Sequence, residues 1–555
     1  MADYDAIVIG SGAGGMTTAL CLARAGKKVL VLEQHYLPGG WCHTFPLGGF
    51  DFSPGVHYIG EVQPGGMMAD LFESLEVSET LEFCELNPDG FDHILVGKER
   101  FDIPKGKETY ARRLKERFPR DAAGIDKFLD VCGGIAAELN AGLDVRGLKE
   151  AITLPLRMKT VARYGLTSLK RFLDNTVQDP LLRGIFSMQA GDHGVAPSRV
   201  PLAQHAAIIS HYYNGGYYPR GGARSIPKAF IKQLRKHGGE IRISSRVAKI
   251  LVEGGHKPRA IGVKLADGTE IRSEIVISNA DPGMTFGKLV DAEHLPPRFL
   301  RKLAKTTYSI SGLSLFLGVD MDVRAAGLDS GNFWYSPTAD IERAYATATN
   351  PNPSALNDLD TWFLTVTTLK DPSKRRDGLH AMESFSFVDY DTFKEWAGTD
   401  HEHRPAAYEA KKKLLIDKMV GNIETIVPGL REKIVFSELG TPLTNDFYVA
   451  SHRGNLYGTE KVLSQLGPFG YQLHTPIAGL FQCGASTLGH GVAGAMISGV
   501  AAATRILKVP RREILNGKGP STRIYPSEDP ASWVAAMRTK PTSDSTDAGA
   551  DDDVA

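Results

Sequence analysis

The sequence has no surplus of either charge: 64 Lys and Arg face 64 Asp and Glu across 555 residues. The basic footprint that nucleic acids require is missing, so no nucleic-acid partner is expected. Cysteine is scarce. Cys21, Cys42, Cys84, Cys132 and Cys483 are odd in number, far apart and without a CxxC pair. That excludes a disulfide scaffold and a cysteine zinc site, and points to reduced thiols. His401-Glu402-His403 comes nearest to a ligand cluster, but it precedes a helix and has surface character, so no metal is expected. A long hydrophobic run is also lacking. The most apolar stretch, Gly491 to Ala503, is too short and too glycine-rich to cross a bilayer as a helix. The chain enters Ala6-Ile7-Val8-Ile9 with neither a basic n-region before it nor an h-region after it, which argues against a secretory leader. The expectation is a cytoplasmic protein, soluble or peripheral on the cytoplasmic face of a membrane.

Glycine, by contrast, is abundant at 59 residues, and it clusters. Tyr4 to Ile9 reads as a buried parallel strand. It runs into Gly10-Ser11-Gly12-Ala13-Gly14-Gly15, then a helix-forming stretch Met16 to Ala25, then the apolar run Val29 to Leu32. This is GxGxxG in a βαβ setting. Gly10 allows the tight turn, Gly12 the approach of a pyrophosphate, and Gly15 the close packing of helix on strand. Ala13 and Gly14 complete the loop, and the helix N-terminus faces the anion. Glu33 ends the second strand, where a carboxylate can accept ribose hydroxyls, with Gln34 beside it. Together these predict dinucleotide binding. A second pair, Gly39-Gly40, followed by Trp41, offers more bare backbone and favours FAD over NAD. A second strand-to-helix turn, Gly484 to Met496, includes Gly491, Val492 and Ala493. Its helix N-terminus can stabilise negative charge at the N1/O2 edge of a reduced flavin. The alternative there is a small-residue packing helix.

Further strands are expected at Gly239–Glu253 and Ala260–Asn279, with Asp267-Gly268 as a hairpin turn, and at Gly479–Cys483. Between these segments, Ile310–Val319, Trp362–Leu369 and His380–Phe387 read as strands and Pro405–Ile426 as a helix. The fold class is therefore α/β. A Rossmann-like nucleotide domain is assembled from segments 1–75, 222–285 and 470–510. An inserted α+β substrate domain takes 76–221 and 286–469. The stretch 515–555, with Asp551-Asp552-Asp553, reads as a disordered acidic tail.

Several strings carry a resemblance. They are Leu32-Glu33-Gln34-His35, Gly39-Gly40-Trp41-Cys42-His43-Thr44-Phe45, Gly55-Val56-His57-Tyr58-Ile59-Gly60, Tyr218-Pro219-Arg220-Gly221-Gly222, Val276 to Pro282 and Thr441-Pro442-Leu443-Thr444. From residue 5 to about 508 the chain resembles the FAD-dependent phytoene-desaturase and carotenoid-isomerase family, most closely its retinol-saturase branch. The resemblance implies an FAD domain of the amine-oxidase type. It places Gly10, Gly12, Gly15 and Glu33 on the ADP half of FAD, and the backbone of Val247 beside adenine. Gly39, Gly40, Gly484 and Gly491–Met496 fall on the flavin side. Trp41 stands where many relatives carry Arg. His57 and Tyr58 fall beside the flavin ring, where either could donate a proton to carbon, or both could simply wall the cavity. Tyr217, Tyr218 and Arg220 could line a substrate channel or form a packed turn. His490 could contact flavin or substrate.

The expected function is an FAD-dependent oxidoreductase acting on a C=C or C–C bond of an apolar polyene or isoprenoid, with hydride transfer at flavin N5. A redox-neutral carotenoid cis–trans isomerase using reduced FAD is the first alternative, and a flavin amine oxidase the second. No second dinucleotide fingerprint is present, so an external electron donor or acceptor is implied. The segment 146–173 carries seven basic residues against Glu150 alone, interleaved with apolar ones. It is a candidate for docking on an anionic membrane surface.

Overall fold

The computed structural model describes residues 2–142 and 157–533. Two seven-stranded sheets organise it. The first runs in the order Val247–Glu253, Arg259–Leu265, Glu270–Ser278, Tyr4–Ile9, Val29–Leu32, Glu240–Arg242, with Leu480–Gln482 paired to Glu270–Ser278. Tyr4–Ile9 lies at its centre, parallel to both neighbours, which is why four of its last five residues are apolar and all but one of the six are buried. Glu270–Ser278 is antiparallel to Arg259–Leu265 at one end and parallel to Tyr4–Ile9 and Leu480–Gln482 at the other. The hairpin turn expected at Asp267-Gly268 is present, with Gly268 at φ +93°.

Two helices cover this sheet at the glycine loops. Ala13–Arg24 follows the first loop, and Gly491–Leu507 packs on it from the far end of the chain. Small residues permit the approach: a Cβ on Gly499 would lie 2.5 Å from the Gly14 carbonyl oxygen.

The second sheet runs Ile434–Gly440, Ser311–Val319, His380–Val388, Trp362–Val366, Asn332–Ser336, Asp92–Val96, Glu99–Ile103. Apart from the parallel pair Asn332–Ser336 and Asp92–Val96, it is antiparallel. The strand expected over Trp362–Leu369 stops at Val366, where Thr367–Lys370 turns into a short helix. The helix expected over 405–426 spans Ala406–Glu424 after Pro405.

The expected tail is corrected at its start. Residues 515–533 are part of the packed chain: Arg523–Pro526 forms a parallel strand beside Glu82–Glu85, and Trp533 is buried with its indole N–H donated to Pro526 O. The Asp551–Asp553 run lies outside the described residues. All five cysteines are free and buried. Among the described residues no helix is long and apolar enough to cross a membrane, and no group of His, Cys, Asp and Glu could hold a metal ion.

Candidate functional site

The C-terminal ends of the central strands open into a cavity of about 280 Å³ between the two sheets. Gly10, Gly12, Ala13 and Gly14 form one wall, and Glu33, Gln34, Gly39, Gly40 and Trp41 the next. Val247, His57, Gly484, Gly491 and Val492 complete the lining. Strand ends at such a crevice are where an α/β sheet receives ligands.

The loops hold this shape through two close contacts. Gly10 turns with φ +90°, its N–H donating to Leu32 O. A Cβ on Gly14 would come within 2.8 Å of Gly484 backbone atoms and 2.7 Å of Asn279 Oδ1. The two glycine turns, 470 residues apart in the chain, thus pack on each other with Asn279 as the wedge between them. Nearby Asp281 accepts hydrogen bonds from Ser486 Oγ, Asn455 Nδ2 and His452 N, tying the same junction to the turn at 452–455.

Glu33 is buried against the first loop. Oε2 accepts from Ser11 N at 2.9 Å and Ser11 Oγ at 2.6 Å, and Oε1 accepts from His35 N at 2.9 Å. A carboxylate offers about four lone-pair sites. One on Oε1 is left over, and Glu33 lines the cavity, where it is fit for a ribose hydroxyl. His35 Nε2, on the same wall, is buried without a hydrogen-bond partner. The helix N-terminus, the bare glycine backbone and these two unfilled polar groups suit the anionic, hydroxyl-bearing half of a dinucleotide.

Residues 13–507 match the family of flavin containing amine oxidoreductases. The chain belongs to that family. FAD is its cofactor, and it is an FAD-dependent oxidoreductase. Among curated proteins it is 31% identical over 536 residues to an all-trans-retinol 13,14-reductase of Danio rerio, covering 91% of this chain and 86% of that one. It is 30% identical over 516 residues to a chloroplastic prolycopene isomerase of Daucus carota, covering 91% and 80%. Of solved structures, an oxidoreductase of Methanosarcina mazei superposes with a TM-score of 0.60 at 18% identity, covering 91% of this chain and all of that one. Putrescine oxidase bound to putrescine gives 0.60 at 15% identity, covering 91% and 99%. At those identities the two structures establish the family's α/β FAD-binding fold.

The remaining candidates divide. Gly15 and Ala493 lie beneath the cavity wall rather than on it; a Cβ on Gly15 would strike Gly10 O at 2.2 Å, the helix-on-strand contact expected there. His57 lines the cavity beside Val56, Phe385 and Leu456, and its ring packs against Phe363 and Phe385. Tyr58 does not. Adjacent side chains on an extended segment point to opposite sides, and Tyr58 turns inward to stack on Tyr212. Its hydroxyl lies 2.9 Å from Asp192 Oδ2 and 3.1 Å from Asp92 Oδ2. The two carboxyls are thus held close together around one phenolic hydroxyl. Burial raises both, Asp92 to about 6.

Tyr217, Tyr218 and Arg220 also miss the cavity. Tyr217 donates to Asn214 O, Tyr218 accepts from Lys374 Nζ, and Arg220 pairs with Glu82 at 3.1 Å. They form the packed turn. His490 caps the helix Gly491–Leu507 just behind the wall, with Nε2 donating to Asp192 O. Burial pushes its ring down to about 3, so it is neutral. Cys42 and Cys483 reach the cavity as buried thiols raised to about 12, so neither is a nucleophile at neutral pH.

Three residues here escape sequence reasoning. Lys461 is buried with Nζ on Ala485 O, behind the second glycine turn. Lys370 and Glu383 are buried beside His57. Glu383 had one legible signal: it shares strand parity with Phe385, which faces the cavity.

Proposed function

We propose that this protein reduces a carbon–carbon double bond of an apolar, linear polyene of the retinoid or carotenoid class. The observation that carries the reading is the shape and lining of the space next to the cofactor site. A second cavity, of about 310 Å³, adjoins the first and shares Trp41, His43, Pro54, Ser314 and Tyr448 with it. Phe45, Leu47, Phe316, Tyr408 and Leu439 give it an apolar side, and His401, Arg404, Glu409, Lys412 and Glu438 a polar one that could meet the oxygenated end of such a molecule. Together the two suit a long hydrocarbon laid past the cofactor. The curated relatives support the same class, since one is named for retinol and the other for prolycopene.

FAD, when bound, supplies or accepts hydride at N5. This chain's residues do the rest. The glycine loops and Glu33 hold the cofactor, the apolar walls exclude water and align the chain of double bonds, and His57 faces the bond from the cavity wall with a ring nitrogen able to hold a proton. Electrons come from an external donor. The protein collects its substrate at a cytoplasmic membrane surface.

Anaerobic incubation of the reduced holoprotein with polyenes, retinoids and unsaturated lipids tests this. The expected product gains two hydrogens as the flavin reoxidises. A product of unchanged mass with the flavin still reduced would favour the isomerase, and a deaminated amine the oxidase. His57→Gln should lower turnover while FAD stays bound; full activity would make His57 a wall residue only.

A further inference from the structure

Glu383 sits inside the second sheet, on His380–Val388, and its side chain is almost wholly buried. A buried carboxylate costs several kcal/mol unless its oxygens are matched. Oε1 accepts the backbone N–H of Ser53 at 2.8 Å. Oε2 has no hydrogen-bond partner, and 3.2 Å from it lies Nδ1 of His57, which has none either. The two atoms are close enough for a hydrogen bond but not aligned for one. A small turn of the ring closes it, as active-site contacts commonly do when ligands bind. Two lysines lie close enough to interact with Glu383 through charge, but their hydrogen bonds go elsewhere: Lys370 Nζ donates to His57 O and Asn332 Oδ1, and Lys374 Nζ to the Tyr218 hydroxyl.

The His57 ring is therefore fixed on three sides, by Phe363, Phe385 and the carboxylate. Its Nε2 edge has no protein hydrogen bond among the described residues, and the residue lines the cavity.

We propose that Glu383 is the positioning residue of His57. It keeps the proton of the neutral ring on Nδ1 and turns Nε2 into the cavity, where that nitrogen can hold or pass a proton at a bound polyene. The proposal rests on the reading of His57 given above and adds a residue that reaches the substrate only through it. A carboxylate that merely filled space would have no bearing on where the imidazole proton sits.

The geometry makes the test sharp, because Ser53 N–H fixes which end of residue 383 must accept. In Glu383→Gln the amide oxygen stays on Ser53 and the NH₂ is placed against Nδ1. Nδ1 must then accept, and the ring proton moves to Nε2. Nitrogen-15 spectra of histidine-labelled holoprotein, with the His57 signals assigned by their loss in His57→Gln, should show Nδ1–H in the wild type and Nε2–H in Glu383→Gln. FAD occupancy should be unchanged and turnover should fall on the order of 100-fold, with Glu383→Asp partly restoring the wild-type tautomer. Nε2–H in the wild type, the same tautomer in both proteins, or undiminished turnover in Glu383→Gln would each overturn the assignment. The wild-type spectrum decides even if Glu383→Gln does not fold. A protein that converts no polyene would sink the proposed substrate class, and the tautomer comparison would still judge Glu383.

Discussion

The ammonium nitrogen of Lys370 lies 2.6 Å from the backbone oxygen of His57 and 2.6 Å from Oδ1 of Asn332. A buried lysine is thus bonded to two neutral oxygens and, among the described residues, ion-paired to no carboxylate. Asn332 passes the contact on, its Nδ2 donating to Asp92 Oδ1 at 2.9 Å. Burial lowers the Lys370 amine to about 7 and raises the Asp92 carboxyl to about 6.

The two groups act on stability in different windows. Between about 7 and the ordinary lysine value the unfolded chain binds a proton that folded Lys370 does not, so stability rises with pH there. Between the ordinary aspartate value and about 6, folded Asp92 keeps a proton that the unfolded chain has lost, so stability falls as pH rises through that window. Urea denaturation from pH 7 to 10 should show a rise in the wild type that is flatter in Lys370→Met. That variant should also be weaker at pH 10, by about 1–3 kcal/mol for each oxygen left without a donor. Parallel pH curves would remove Lys370 as the cause.

Glu33→Ala takes away the ribose acceptor together with the partner of Ser11 and His35 N–H. A hydrogen bond to a charged group contributes about 1.5–3 kcal/mol, so FAD should bind roughly 10- to 100-fold more weakly by fluorescence titration. Unaltered affinity would mean that Glu33 only braces the loop.

Gly14→Ala places a methyl group against Gly484 and Asn279 Oδ1. Overpacking of this kind costs about 1–3 kcal/mol. Both the denaturation midpoint and the FAD content on purification should drop. A variant with wild-type stability would show that the glycine turns can part without loss.

For the membrane surface, residues 146–156 of the candidate segment lie outside the described residues. In the remainder, Arg157, Lys159, Arg163, Leu166 and Arg171 are exposed, whereas Leu169, Phe172 and Leu173 are buried in the core. The docking proposal therefore relies on charge more than on apolar insertion. Co-sedimentation with anionic vesicles should weaken with salt and drop when Arg157, Lys159 and Arg163 become Glu. Protein that remains in the supernatant with anionic vesicles at low salt would end the proposal.

The glycine loops, the first βαβ unit and the strands near 311, 362 and 380 were legible because each depends on local pattern. Tyr4–Ile9 is apolar because it is central, and Gly10 is glycine because its φ is positive. Which of His57 and Tyr58 faces the cavity was not legible, since both belong to one string and only packing against Tyr212 and Asp192 decides between them. Lys370 and Glu383 could not be picked out because only the tertiary fold buries them beside His57. Arg523–Pro526 gave no strand pattern at all; it is ordered by Glu82–Glu85, more than 430 residues earlier.

The contact between Gly14 and Gly484 also bears on how the protein is made. The loop that begins the cofactor site leaves the ribosome 470 residues ahead of the backbone it packs against. Until that backbone emerges the apolar face of Ala13–Arg24 lacks the helix that covers it, and FAD has no complete site to bind. Cofactor retention thus waits on the second turn, and a translation arrest between residues 33 and 480 leaves a polypeptide with its fingerprint intact and nothing to close it.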